Sequence, residues 1–299
     1  MSTQPKMLQS KGINEILKIP SHSMSPPPRE KCIPHRRGSN TMHKSTPQNS
    51  GTSIQLNHSL SFTSLEEGIA AMGKTLTSNH RFALTQHFTL IQEASKVTNL
   101  TSVTDWETAS TRHFLDSLSV FLAFEKSDVS NPSVLDVGSG AGFPGIPIKV
   151  FHPESRVDMI ESRSKKAIFL QKVIDSLELT HTSVYTDRAE SLAHSTMRES
   201  YDIVVARAVA PMNVLVELTL PFVRKGGIFI AMKQLDIRDE LQRALTGIQR
   251  LGGIVSTPPI EVDLPNLSPK RSLVIIDKAM STPHELPRNA GTPRKRPLS

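Results

Sequence analysis

The sequence has a single cysteine, Cys32, among 299 residues, so an intramolecular disulfide and a zinc site built from several cysteines are both excluded. It has no run of about 18 apolar residues, the length that a membrane-spanning helix needs. The metalloprotease pair H-E-x-x-H, the Walker loop and the hydrolase elbow G-x-S-x-G are also missing. We therefore expect a soluble protein with no metal site, located in the cytoplasm or, as the alternative, in an organelle.

Positive charge is concentrated at the two ends of the chain. The formal net charge is +7, to which residues 1–60 contribute +6 and residues 281–299 contribute +3, so residues 61–280 carry −2. Because the middle of the chain is not generally basic, affinity for a nucleic acid must come from local patches and from tails that neutralise phosphates. The alternative is that the tails only keep the chain soluble.

Residue composition and the spacing of apolar residues divide the chain into four parts. Residues 1–60 hold seven prolines and ten serines without sustained apolar periodicity, which predicts a disordered basic extension over residues 1–63. A transit peptide, or a true start near Met42 or Met72, is the alternative. Apolar residues at helical spacing predict a helical cap over residues 64–130, with one helix at Glu107–Ala123. An α/β domain over residues 131–280 and a basic tail over residues 281–299 complete the chain.

Residues 131–280 alternate short β-rich runs with amphipathic segments. The amphipathic segments predict helices at Lys165–Leu177, Asn213–Phe222 and Ile237–Leu251, and Lys225–Gly227 predicts a turn into the fifth strand. Alternation at this spacing predicts an α/β, Rossmann-like fold whose seven-stranded, mostly parallel sheet has helices on both faces. The seven predicted strands are Ser133–Val137, Val157–Glu161, Ser183–Thr186, Tyr201–Ala206, Gly227–Met232, Gly253–Val262 and Ser272–Asp277.

A glycine-rich turn follows the first strand. Its order is G-x-G-x-G, at Gly138, Gly140 and Gly142, and Phe143 stands where the dinucleotide fingerprint has its third glycine. Glu161 ends the second strand 23 residues after Gly138, where a carboxylate can accept hydrogen bonds from ribose hydroxyls. The pattern favours S-adenosylmethionine over a dinucleotide. The alternatives are a tight turn without a ligand and, for Glu161, a solvated charge at a strand end.

The segment Asp136–Pro147, D-V-G-S-G-A-G-F-P-G-I-P, resembles the signature of the RsmG (GidB) methyltransferases. The resemblance covers residues 80–298. It implies a class I S-adenosylmethionine-dependent fold and methylation of N7 of one guanine in 16S rRNA, guanine 527 in the family. Blocks similar to the family also occur at Asn99–Thr101, Arg112–Leu118, Arg188–Glu190, Ala206–Ala210, Ala231–Lys233 and Ala290–Pro293.

The resemblance also implies the residues that contact S-adenosylmethionine. To these the glycine pattern adds Gly140, because a glycine lets the backbone approach a ligand closely. The implied contacts are Gly138, Phe143, Glu161, Ser162, Arg163, Ala189, Glu190 and Arg207.

Five further residues are candidates for contact with RNA: His113, Lys233, Arg294, Lys295 and Arg296. The last three form a basic cluster suited to the RNA backbone. For His113 the alternative is a structural network in which it and Arg112 pair with Asp116 along one helix. For Lys233 the alternative is a lysine whose stem packs while its amine reaches solvent.

Guanine N7 carries a lone pair, so its methylation needs no general base, and no proton-transfer residue is assigned. Arg207 is the substrate-side candidate because an arginine fork suits the O6 and N7 acceptors of guanine, with an ion pair to a nearby acid as the alternative. The expected partner is 16S rRNA or the small ribosomal subunit, with no membrane contact and a monomeric chain. Alternative functions are a methyltransferase with another acceptor, a non-catalytic RNA-binding module, and a dinucleotide oxidoreductase.

Overall fold

A computed structural model describes residues 60–98, 100–127 and 129–298. The extension predicted to be disordered therefore lies, apart from its last four positions, outside the described residues, as does Asn99. No helix in the described ranges is both long and apolar enough to cross a membrane.

The described residues form one sheet whose strand order is β3-β2-β1-β4-β5-β8-β6, with β7 also paired to β8. Strands β1 to β5 run parallel, and β8 runs antiparallel to its three neighbours β5, β6 and β7. The predicted α/β fold with a mostly parallel sheet is confirmed. The strands are β1 Val134–Val137, β2 Val157–Ile160, β3 Thr182–Tyr185, β4 Tyr201–Arg207, β5 Val223–Gln234, β6 Gly253–Ile254, β7 Ile260–Val262 and β8 Arg271–Lys278.

The helices lie before the sheet and between its strands. A π-helical turn, Ser110–Leu115, interrupts the helices that precede β1, and a 3-10 turn, Leu220–Phe222, follows the helix after β4. The α-helices are α1 Thr63–Ala71, α2 Ser78–Ser95, α3 Trp106–Ala109, α4 Asp116–Leu118, α5 Phe121–Phe124, α6 Gly145–Phe151, α7 Ser164–Ser176, α8 Ala189–Leu192, α9 Met212–Thr219, α10 Arg238–Arg250 and α11 Thr292–Lys295.

The sheet has eight strands rather than the predicted seven. The predicted strand Gly253–Val262 is two short strands, β6 and β7, because the intervening Pro258 and Pro259 have no N–H to donate to a neighbour. The turn predicted at Lys225–Gly227 lies inside β5, where the pairing with β4 shifts register. A bulge with Gly226 at a φ of 79° therefore replaces the expected turn.

The predicted helix Glu107–Ala123 is broken into short pieces around the π-helical turn. The hydroxyl of Ser117 donates to the His113 carbonyl at 2.6 Å, and that of Ser119 donates to the Asp116 carbonyl at 2.6 Å. Serine hydroxyls that bind carbonyls of the preceding turn compete with the regular backbone ladder. The apolar spacing identified the helical segment but carried no sign of this interruption.

Two apolar layers cover the two faces of the sheet. Alternate residues of each strand enter opposite layers, so that Val134 belongs to one and Leu135 to the other. The first layer includes residues of α1, α2, α6 and α7, and the second includes residues of α9 and α10. The helices before β1 thus share a hydrophobic core with the sheet.

Lys278, at the end of β8, is a buried cation that binds three neighbouring stretches of the chain to the last strand. Its Nζ donates to the Leu220 carbonyl at 2.7 Å and to the Thr282 hydroxyl at 2.6 Å, and lies 3.3 Å from Glu199 Oε1. Burial lowers the pKa of Lys278 to about 8, although the negative charge of Glu199 raises it in part.

We expect Lys278→Met to lower the free energy of unfolding by about 3 kcal/mol, because it leaves buried acceptors without a donor. The matched control is Lys270→Met, whose ion pair with Asp263 is 53% and 77% exposed, and which should cost less than about 1 kcal/mol. Urea denaturation of the three proteins measures both values. Equal stability of the two variants would contradict the role given to Lys278.

Candidate cofactor and substrate site

Two adjoining cavities open at the carboxyl ends of β1, β2, β4 and β5, the edge of a parallel α/β sheet where ligands bind. The smaller cavity, of about 110 Å³, lies between the glycine loop after β1 and the loops after β2 and β3. The larger, of about 750 Å³, lies beside the ends of β4 and β5. Val209 lines both, so the two cavities meet at this side chain.

The glycine loop leaves open space beside its backbone at Gly140. Gly138 and Gly140 have φ values of 81° and 59°, a region that side chains disfavour. A Cβ placed on Gly140 would meet no atom closer than 4.0 Å, so this part of the backbone is accessible to a bound group.

Glu161 closes the opposite wall of the smaller cavity. Its two carboxylate oxygens accept hydrogen bonds from the backbone N–H of Gly140 at 3.1 Å and of Arg163 at 2.8 Å. These bonds fix the orientation of the carboxylate, and each oxygen keeps a further lone pair. A fixed, largely buried carboxylate with acceptor capacity fits a pair of ribose hydroxyls.

Asp136 lies fully buried beneath the loop. Its Oδ2 accepts a hydrogen bond from Gly145 N at 2.9 Å, whereas Oδ1 has no partner among the described residues. Burial raises the pKa of Asp136 to about 7, although the Gly145 N–H opposes this shift. Buried polar atoms are normally hydrogen-bonded, so this orphaned oxygen fits a polar ligand group at the loop.

His87, on α2, binds and packs against the glycine loop. Its Nε2 donates to the Ala141 carbonyl at 2.8 Å, and its ring packs against Phe143 with the ring centroids 5.0 Å apart. Burial lowers the pKa of His87 to about 4, so the imidazole is neutral at pH 7. Sequence reasoning missed His87, because it lies 54 residues from its partner in an ordinary helical pattern.

The structure brings most of the predicted cofactor residues together. Gly138, Glu161, Ser162, Ala189 and Glu190 line the smaller cavity. Gly140 and Arg163 adjoin it through their bonds to Glu161. Phe143 is instead buried in the core, under the guanidinium of Arg207 and the ring of His113, and Arg207 lines the larger cavity.

Arg207 is held by a buried carboxylate in the wall of the larger cavity. Its Nη1 lies 2.9 Å from Asp116 Oδ2, and Arg271 Nε lies 3.1 Å from Asp116 Oδ1. The ion pair considered for Arg207 is therefore present. The pairing of Asp116 with Arg112 and His113 along a regular helix is wrong, because the π-helical turn changes the spacing of the side chains.

Two other predicted substrate residues of this cavity are held by neighbours. Lys233 Nζ donates to the Ala210 carbonyl at 2.7 Å and to Glu240 Oε1 at 2.6 Å. His113 Nε2 shares a hydrogen bond with the Thr101 hydroxyl at 2.8 Å. Burial, with a further contribution from the charge of Arg207, lowers the pKa of His113 to about 4.

Arg112 and Arg243, which the sequence reasoning did not single out for RNA contact, supply the uncompensated positive charge of the larger cavity. Both line it with exposed side chains, and within the described ranges no carboxylate lies within 4 Å of either guanidinium. The three other cations of the cavity wall, Arg207, Lys233 and Arg271, are all paired with carboxylates.

The three residues of the basic cluster near the C-terminus have different surroundings. Arg294 lines the smaller cavity, and its guanidinium donates to the Val209 carbonyl at 3.2 Å. Lys295 and Arg296 are exposed and line neither cavity. Across the described part of the chain, no group of three or more His, Cys, Asp or Glu side chains is placed to hold a metal ion.

Comparison with known proteins gives one consistent family. A family model described as GidB, rRNA small subunit methyltransferase G, matches residues 81–261. A ribosomal RNA small subunit methyltransferase G from Dehalococcoides mccartyi (strain CBDB1) is 40% identical over 232 residues, which cover 77% of this chain and 97% of that protein. The protein of the same description from Staphylococcus haemolyticus is 40% identical over 235 residues, 78% and 96% of the two chains.

Similarity to solved structures is more distant. A precorrin-6y C5,15-methyltransferase from Geobacter metallireducens superimposes with a TM-score of 0.42 at 13% identity, over 55% of this chain and 88% of that one.

The buried neutral state of His87 predicts how stability depends on pH. Its pKa is about 4 in the folded chain and 6.5 when unperturbed, so its contribution to stability is present above pH 6.5 and is lost as the pH falls toward 4. In His87→Gln, the amide can still donate to Ala141 but does not titrate. We expect the free energy of unfolding of this variant to fall by about 2 kcal/mol less than that of the wild type between pH 7 and pH 5.

Urea denaturation at the two pH values tests this expectation. The control is His284→Gln, a change at an exposed side chain, which should leave the pH dependence of the wild type unaltered. Parallel pH profiles for His87→Gln and the wild type would show that the ring of His87 is not held neutral.

Proposed function

The chain belongs to the rRNA small subunit methyltransferase G family, and on that basis we propose that it methylates N7 of one guanine in the 16S rRNA of the small ribosomal subunit. The methyl donor is S-adenosylmethionine. One observation carries the proposal: a cavity built from a glycine loop and a fixed carboxylate meets, at Val209, a larger cavity lined by arginines. Two ligands bound in these cavities would face each other at one point.

The residues of the smaller cavity suit S-adenosylmethionine, which supplies a methyl group on a sulfonium. Glu161 is oriented to accept from the ribose, the backbone of Gly140 is accessible, and Ala189 with Glu190 provides a wall for the adenine. The orphaned Oδ1 of Asp136 is an acceptor for a polar group at the loop. These residues bind and orient the cofactor, so their contribution to rate is through proximity.

The larger cavity suits a purine that needs no proton removed before it reacts. His113 is neutral at pH 7 and is hydrogen-bonded to Thr101, so it adds no positive charge beside a base that becomes positive as it is methylated. Arg207 uses Nη1 on Asp116 and retains Nη2 for the O6 acceptor of guanine or for a carboxylate of the cofactor. We assign no general base.

Arg112 and Arg243 are the residues that we propose to contact RNA phosphates, because their charges are exposed and uncompensated. Lys233 and Arg271 form the cavity wall, where each cation is paired with a carboxylate. The target base would have to be presented unstacked to reach Val209. The bacterial relatives and a ribosomal substrate support the cytoplasm as the place of action, and the monomeric state stays a prediction.

The function is tested with purified chain, labelled S-adenosylmethionine and small ribosomal subunits that lack the modification, followed by mapping of 7-methylguanosine. We expect label at one guanine. Glu161→Gln should weaken S-adenosylmethionine binding by about tenfold, since one acceptor for the ribose becomes an uncharged amide. Glu154→Gln, at an exposed carboxylate remote from the cavities, is the control and should behave as wild type.

The outcomes of that assay separate the alternatives. Binding of S-adenosylmethionine without labelling of any form of the rRNA would indicate another methyl acceptor. Absence of binding would rule out a methyltransferase that uses this cofactor.

The role of Arg112 and Arg243 is tested by the salt dependence of RNA binding. Each change, Arg112→Gln or Arg243→Gln, should reduce the slope of log affinity against log salt concentration by about 1. The control is Lys225→Gln, an exposed cation at the opposite, amino end of β5, which should leave the slope unchanged. An unchanged slope in both arginine variants would place the phosphates elsewhere.

A further inference from the structure

The segment Leu286–Leu298, here called the C-terminal segment, is packed firmly against the sheet domain. The side chains of Leu286 and Leu298 are buried in the apolar layer that includes residues of α9 and α10. Arg288 makes a two-pronged ion pair with Glu217, a carboxylate of α9 with no exposed surface, at 2.9 and 2.6 Å. Because a buried carboxylate is costly unless it is paired, this contact fixes the segment in place.

The guanidinium of Arg198 holds the approach to the C-terminal segment. It donates to the carbonyls of Thr282, Pro283 and Leu286 at 2.7, 2.9 and 2.8 Å. Three carbonyls on one guanidinium define the path of the chain before the segment begins. The position of the segment is therefore set at both of its ends.

Two contacts of the C-terminal segment reach residues that line the smaller cavity. Gly291 N donates to Glu190 Oε1 at 2.8 Å, which ties the segment to the loop after β3. Arg294 donates to the carbonyl of Val209 at 3.2 Å and lines the cavity itself. The segment thus contacts the chain after β3 and after β4, and both of these stretches line the smaller cavity.

We propose that the C-terminal segment is part of the cofactor site and that Arg294 binds the adenosine portion of S-adenosylmethionine, rather than RNA. This inference rests on the proposed function. Near Arg294 the cavity is lined by Ala189, Val209 and Leu218, whose small or apolar side chains suit the face of a purine. A planar guanidinium stacks on such a ring or donates to its acceptor nitrogens.

The basic cluster near the C-terminus is accordingly divided. In this proposal Arg294 serves the cofactor, whereas Lys295 and Arg296 are exposed, line neither cavity and remain available to RNA. This division provides matched controls within three consecutive residues. The hydrogen bond from Arg288 to residue 296 uses the backbone carbonyl of Arg296, so it survives replacement of the Arg296 side chain.

The test is calorimetric titration of the full chain, without RNA, with S-adenosylmethionine and separately with S-adenosylhomocysteine. Arg294→Gln should raise both dissociation constants by about tenfold, because the two ligands share the adenosine that the guanidinium contacts. Lys295→Gln and Arg296→Gln should leave both constants within about twofold of wild type. Melting temperatures without ligand check that each variant is folded, as expected for changes at exposed side chains.

Hydrogen exchange gives a second readout that needs no variant. Addition of S-adenosylmethionine should slow exchange of the Gly291 amide, because cofactor held against Glu190 and Arg294 stabilises the hydrogen bond from that amide to Glu190.

Each result decides one claim. Unchanged dissociation constants in Arg294→Gln, with a reduced salt slope for RNA binding, would overturn the inference and return Arg294 to the RNA. Loss of affinity for S-adenosylmethionine alone would mean that Arg294 acts away from the adenosine. If wild-type chain binds neither ligand, the proposed function fails together with this inference, a result distinct from the first two.

Discussion

The buried carboxylate of Asp116 is the contact on which the rest of the site depends. It lies between Arg207 at the end of β4 and Arg271 at the start of β8, residues 91 and 155 positions away along the chain. None of these charges is stable in the interior without the others. The bridge therefore fixes the helices before β1 to the sheet edge. It also holds the guanidinium of Arg207 over the ring of Phe143, against which the ring of His113 stacks.

The cations of the larger cavity fall into two groups, those paired with a carboxylate and those without such a partner in the described ranges. Charges that are paired, such as Arg207 and Lys233, form walls of defined shape, because their side chains have one geometry. Arg112 and Arg243, whose guanidinium groups have no carboxylate partner in the described ranges, line the cavity with exposed side chains, which suits contact with a phosphate backbone. Under the proposed function, the shape of the cavity and the contact with phosphates are assigned to different residues of one cavity.

The sequence predicts what depends on local pattern. The strand alternation, the glycine order and the acid at Glu161 define the sheet and the smaller cavity, since each is a feature of a few consecutive residues. It does not predict the partners of Asp116, the hydrogen bond from His87 to Ala141 or the position of Arg294 in the smaller cavity, because each depends on a contact between distant segments. The break in the helix at Ser110–Leu115 also escaped prediction, since a single π-helical turn shifts the apolar pattern of the segment by only about one residue.

Strand β8 has a further consequence, for the behaviour of the unassembled chain. It pairs with β5 on one side and with β6 and β7 on the other, so no other strand covers that side of β5. Until β8 docks, β5 presents a sheet edge of twelve residues whose centre, Ile228–Met232, is apolar. Such an edge is a template for pairing with another chain. Weaker docking of β8, as expected from changes at Arg271 or Lys278 at its two ends, would therefore expose this edge for longer to pairing between chains.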